Sequence, residues 1–113
     1  MNQVSFEEIG AVTATFLAKE DVVPGQVVKI TDDGQVGACS DNDAFCGLAL
    51  SNRKGFAGVQ VKGLMTLPIS GSVNLGHVIL AADGTGKVKT ASTGVTALVV
   101  SVDDAAHTAV VCL

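Results

Sequence analysis

The sequence contains no Trp and no Tyr, and its only aromatic residues are four Phe among 113 residues. A core without large rings has to be assembled from aliphatic side chains, here chiefly Val. Charge is scarce too: Asp, Glu, Lys and Arg make up 16 % of the chain, against roughly 25 % in an average domain. What charge there is runs acidic, at a formal net −4. That sign argues against a nucleic-acid partner held through its phosphates and against adhesion to an anionic membrane. No apolar run approaches the roughly eighteen residues that a membrane-spanning helix requires. Residues Met1–Glu8 have neither a basic start nor an apolar stretch, so no secretory signal is expected. The three cysteines, Cys39, Cys46 and Cys112, are an odd number without C-x-x-C spacing. They predict neither a disulfide framework nor a structural zinc site, but free and mostly buried thiols in a reducing cytosol.

Apolar residues amount to 48 % and the mean hydropathy is +0.48, which excludes a largely disordered chain. The length suits one domain, and thirteen Gly suit a fold with many tight turns. Residues Met1–Gly10 have no usable period and read as a flexible N-terminal arm. From Ala11 to Leu113 the chain reads as a single β domain. Short β-branched runs are expected as strands at Ala11–Leu17, Gln26–Ile30, Gln35–Cys39, Phe45–Leu50, Gly58–Pro68, His77–Ala81, Lys87–Thr90, Leu98–Val102 and His107–Cys112. Turn chemistry punctuates them at Pro24-Gly25, Asp33-Gly34, Arg53-Lys54-Gly55, Asp83-Gly84 and Asp103-Asp104. Gly63, inside the alternating Gly58–Pro68 run, marks a bulge or bend. No window sustains the spacing of an amphipathic helix. The fold class is therefore all-β: a compact β-barrel or a sandwich of short strands.

Two stretches echo each other, at about 22–51 and 73–101. Val23-Pro24-Gly25-Gln26-Val27-Val28 is matched by Asn74-Leu75-Gly76-His77-Val78-Ile79, and each is followed by an Asp-Gly pair. Later come Leu48-Ala49-Leu50-Ser51 and Leu98-Val99-Val100-Ser101. The spacing is degenerate, but the repeated unit is definite: Gly turn, strand, Asp-Gly hairpin, strand, loop, strand. Two such units joined by the long Gly58–Pro68 strand would close a barrel or pack as a sandwich and so remove open sheet edges.

Residues that carry chemistry are few. His77 and His107 are the only histidines, and their spacing from the thiols does not suggest a nucleophilic pair. No Ser sits in a G-x-S-x-G elbow. Asp41-Asn42-Asp43 begins like a calcium loop but lacks the Gly and Glu that would complete it. Asp83-Gly84-Thr85-Gly86-Lys87 lacks phosphate-loop spacing, and Lys62 lacks the Met flanks of a lipoyl or biotinyl carrier lysine. The expectation is no catalysis, no cofactor and no metal. An apolar content this high in so small a chain leaves aliphatic surface near the solvent, where contiguous patches mark protein contacts.

The stretches Val22–Ile30, Asp33-Gly34, Phe45–Leu50, Val59–Pro68 and Leu75–Gly84 resemble small head proteins of tailed phages, described as head fiber, capsid decoration or capsid cement proteins. The resemblance covers most of the chain after residue 10. It implies a virion protein, made in the host bacterial cytoplasm, that binds the outer surface of the assembled capsid. Its partners would be the major capsid protein and copies of itself, as a homotrimer near three-fold positions, with neither nucleic acid nor membrane bound. Contact residues do not carry over from the family. The physics of the chain points to Val4, Phe6 and Ile9 in the arm, the Arg53-Lys54 pair, Phe56, and the apolar positions Leu64 and Leu67. Two other readings are a small β-barrel interaction or carrier module without catalysis, and an enzyme whose site forms between subunits from His77, His107 and the aspartates.

Overall fold

The computed structural model describes residues 10–113 of the chain; Val4, Phe6 and Ile9 lie outside them. The described residues form ten strands and no helix: β1 (Val12–Ala18), β2 (Val27–Asp32), β3 (Gln35–Ala38), β4 (Gly47–Ala49), β5 (Phe56–Lys62), β6 (Leu64–Pro68), β7 (Gly76–Ala82), β8 (Val88–Thr90), β9 (Val95–Asp103) and β10 (Thr108–Cys112). The all-β expectation holds. The first five strands make a closed barrel in the order β1-β3-β2-β4-β5, and the last five make a second sheet in the order β6-β10-β9-β7-β8.

The two halves are wired alike. In the first, β3 pairs β2, β2 pairs β4, β4 pairs β5 and β5 pairs β1, all antiparallel. In the second, β8 pairs β7, β7 pairs β9, β9 pairs β10 and β10 pairs β6 in the same sense. The stretches at about 22–51 and 73–101 carry β2-β3-β4 and β7-β8 with most of β9. The first half closes through a parallel pair. Leu17 and Ala18 of β1 pair Gln35 and Val36 of β3, and the backbone N–H of Lys19 donates to the Val36 carbonyl at 3.0 Å. In the second half a single bridge joins Ile69 to Val88, with the Ser70 N–H donating to the Val88 carbonyl at 2.8 Å. Val59 and Ala57 fill the first half as Val111 and Ala109 fill the second, all fully buried.

The expected long strand Gly58–Pro68 is two strands in different sheets. Gly63 adopts φ +94°, and a Cβ there would stand 2.5 Å from the Gly10 carbonyl. A side chain is excluded on both counts, so the chain turns here and passes from one half to the other. The outward expectation for Leu67 also fails. On β6, Met65 and Leu67 alternate inward and Leu67 is fully buried, leaving Leu64 and Thr66 on the outer side.

Two cores result. One lies inside the barrel: Val22, Val28, Val36, Ala49, Ala57 and Val59. The other joins the inner face of the second sheet to Val27, Cys39, Phe45 and Leu48 of the first half. Val27 and Leu48 are register partners; alternation turns them away from the barrel interior while Val28 and Ala49 face it. The segment 40–45, expected partly as strand, is a loop that crosses to the other half. Its Asn42 N–H donates to the Ala82 carbonyl at 2.8 Å, and the Ala82 N–H donates to the Asp43 carbonyl at 2.9 Å. Phe45 then enters the shared core, which is why it leaves the strand.

Leu67→Ala should lower the unfolding free energy by about 2–5 kcal/mol, the cost of an unfilled core site. Leu17→Ala, at a half-exposed position, should change it by about 0.5 kcal/mol or less. Urea unfolding followed by far-UV circular dichroism measures both.

Candidate docking surface

Arg53, Lys54 and Phe56 come together at the tip of the β4–β5 hairpin. The Arg53 N–H donates to the Phe56 carbonyl at 2.8 Å and the Phe56 N–H returns the bond to Arg53 at 2.9 Å. Between them Lys54 and Gly55 take φ +52° and +81°, the left-handed pair of a type I′ turn that follows the right-handed strand twist. Lysine is a costly choice in this conformation, where Asn or Gly is usual. The turn is tied down on two sides. Ala18 N–H donates to the Gly55 carbonyl at 2.8 Å, and the Asn52 side-chain amide donates to the Val22 carbonyl at 3.0 Å. The two cations therefore stand on a fixed support, and among the described residues neither forms an ion pair.

Phe56 opens β5 and pairs Leu17 of β1 in register. Directly paired residues share a face, and these two are 53 % and 50 % exposed, so both project from the barrel wall. Gly58 and Thr15, the next outward pair, leave low ground beside them. The Ser51 hydroxyl accepts the Gly58 N–H at 3.2 Å and holds the hairpin stem. Val23 and Leu50 add exposed aliphatic surface at the same barrel. They belong together because the Gly25 N–H donates to the Ala49 carbonyl at 2.8 Å, which sets their two segments side by side. The result is an apolar ledge edged by two cations. Leu17, Val23 and Leu50 are the members that the sequence does not reveal.

The other expected contacts are elsewhere. Leu64 lies half-buried on β6, in the second half of the fold, and Leu67 is core. His77 is exposed on β7, while His107 is exposed in the β9–β10 turn at φ +56°. Burial pushes the Cys39 thiol up to about 11 and raises that of Cys46 as well. Both are thus protonated and weak nucleophiles at neutral pH. Among the described residues no three His, Cys, Asp or Glu side chains gather as a metal site. The Asp41-Asn42-Asp43 carboxylates are instead engaged by lysines: Asp43 by Lys29 of β2, and Asp41 by Lys89 of β8 at 2.6 Å. One short loop is therefore salt-bridged to both halves of the molecule. At Asp83 burial works to raise the carboxyl, but hydrogen bonds from Thr85 N–H and hydroxyl, from Lys87 N–H and from Ser70 outweigh it, and the pKa falls.

No known protein-family model matches the chain, and no curated protein matches it.

The Lys29 hydrogen bond, with a second from the Ser40 N–H, holds the Asp43 carboxyl below its usual value of 3.8. A carboxyl depressed in the folded state contributes stability above pH 3.8, and that contribution is lost as the pH falls through the lowered value. Its partner Lys29 is raised above 10.5, chiefly by the same bond, so its share is present up to 10.5 and is lost as pH climbs beyond that. Asp43→Asn should therefore be less stable than wild type at pH 7, with the gap narrowing as the pH drops below 3.8. Urea midpoints for both proteins at neutral and acid pH read this directly.

Proposed function

We propose that this chain is a capsid decoration protein that binds the outer surface of an assembled phage head and fastens adjacent capsid subunits. The observation that carries the reading is the ledge of Leu17 and Phe56 beside Arg53 and Lys54, apolar surface held in the open on a rigid barrel. Desolvating two such side chains against a partner supplies affinity, and the adjacent cations select an acidic rim. The resemblance of the strand and turn motifs to phage head proteins supplies the identity of the partner, the major capsid protein, and the virion as its place.

The mechanism is thermodynamic linkage. A protein that binds the assembled lattice and not its separated subunits lowers the free energy of the lattice by RT ln(1 + [L]/Kd) per site, about 2.7 kcal/mol at a hundred times Kd. The gain accumulates over the sites of a shell, and a trimer adds effective concentration without new contacts. A hairpin fixed by the Ala18 and Asn52 bonds has little conformational freedom left to lose on docking. The reading needs no catalytic group, and the partner face is one the barrel already displays.

Mixing the purified protein with undecorated capsids should give co-sedimentation and a higher capsid melting temperature. Phe56→Asp should weaken the association at least about tenfold, as expected for a central aromatic anchor replaced by a charge. Wild-type protein that leaves the capsids neither bound nor stabilised rejects decoration. Capture of a soluble, non-capsid protein by the same ledge would favour an interaction module instead.

A further inference from the structure

We propose that the open edge of β1 receives an extended segment of the capsid subunit as an added strand, which rests on the decoration function above and names its mode of docking. The seam that closes the barrel is short. β1 pairs β5 from Val12 to Leu17, but it pairs β3 only at Leu17 and Ala18. Among the described residues nothing pairs the rest of that edge. Backbone groups of a strand point alternately to its two sides. The Ala18 N–H donates to the Gly55 carbonyl beside β5, and the Leu17 N–H donates to the Gly34 carbonyl beside β3, each at 2.8 Å. Ala14 and Phe16 therefore bond toward β5, while the N–H and C=O of Thr13 and Thr15 point to the open side. Both threonines are exposed.

Open edges invite pairing with another chain, and folded proteins blunt them with charge, Pro or a covering segment. The second sheet follows that rule. On β6 the Leu64 carbonyl accepts the Gln60 side-chain amide at 3.0 Å, and Pro68 closes the strand. On β8 the Val88 carbonyl accepts the Ser70 N–H at 2.8 Å, and Lys89 adds a charge. β1 has none of these devices. Val12-Thr13-Ala14-Thr15-Phe16-Leu17-Ala18 carries neither charge nor Pro, and its β-branched and aromatic residues suit a strand that pairs.

The edge itself specifies what covers it. A donor and an acceptor repeated at every second residue match an extended backbone and no compact ligand. The two sides of β1 then set the side-chain pattern. On the barrel side Val12 is exposed and Ala14 and Phe16 are half-buried, so an incoming strand with apolar residues at alternate positions would cover them. On the outer side Thr13 and Thr15 run in line with Leu17, which pairs Phe56 on the ledge. Edge and ledge are one continuous footprint, and the partner that covers the ledge is the one placed to supply the strand. Main-chain bonds on the edge would add affinity, while the ledge and its cations select the surface around it.

The test is residue-resolved amide hydrogen exchange, read by mass spectrometry on the full chain alone and bound to undecorated capsids. In the free chain the Thr13 and Thr15 amides should exchange fast while those of Ala14 and Phe16 are protected. On capsids Thr13 and Thr15 should slow by about a hundredfold or more. Thr15→Pro removes one open-side N–H at a position where an edge strand tolerates Pro. It should keep its far-UV circular dichroism and lose at least about tenfold in co-sedimentation affinity. Capsids that bind while Thr13 and Thr15 still exchange fast overturn the added strand and leave decoration standing. So does a folded Thr15→Pro that binds like wild type. Protection of both amides in the free chain also overturns it, since another part of this chain or a second copy then covers the edge. Capsids that do not bind end both readings. Should Thr15→Pro fail to fold, exchange in the wild type decides alone.

Discussion

Small aliphatic side chains exclude water only when the sheet around them is bent shut, and this chain has little else to fill a core. The first half meets the constraint by pairing β1 with β3 in parallel, which closes five short strands around Val28, Val36 and Val59. The second half repeats the connectivity but stays a sheet, with one isolated parallel bridge from Ile69 to Val88. It completes its core with borrowed side chains. Val27, Leu48, Cys39 and Phe45 of the first half are buried against the inner face of the second sheet. Neither half is a finished unit in isolation, and the loop at 40–45, with Lys29 and Lys89 at its two ends, holds the halves in place.

The two halves agree at their inner positions and differ on their outer faces. Equivalent inner positions keep the same residue type, as Ala57 and Val59 do with Ala109 and Val111. Outer positions differ. Of the exposed large hydrophobics, Val12, Leu17, Val23, Ile30, Leu50 and Phe56 are on the barrel half, and Leu75 and Ile79 on the other. The hairpin that carries Arg53 and Lys54 in the first half carries Asp103 and Asp104 in the second. A shared scaffold thus presents an apolar ledge with cations on the first half alone.

Much of the fold was legible because turn residues punctuate it. Pro24-Gly25, Asp33-Gly34 and Asp83-Gly84 bracket runs of β-branched residues, and most strands appear within two residues of the expected bounds, although β9 begins three residues early and the run Gly58–Pro68 divides in two. Pairing order was not legible, since β1 meets β3 and β5 through contacts between residues far apart in the chain, such as Leu17 with Phe56. That pairing also hides the ledge: nothing near Leu17 in sequence says that it faces solvent. The burial of Leu67 escapes the sequence for a related reason. In the run Leu64-Met65-Thr66-Leu67-Pro68 the alternation restarts after Gly63, and the inward phase is set by the second sheet rather than by the preceding strand. Phe45 borders an apolar run and so has the sequence pattern of a strand residue, whereas its burial comes from the opposite half.

The functional account rests on the ledge being where a foreign protein surface covers the barrel. A cryo-electron-microscopy reconstruction of undecorated capsids saturated with the protein tests it most directly. The account predicts added density on the outside of the shell with Leu17, Phe56 and the Arg53-Lys54 turn against the capsid subunits. Shells without added density, or density in which that ledge faces solvent, would contradict it.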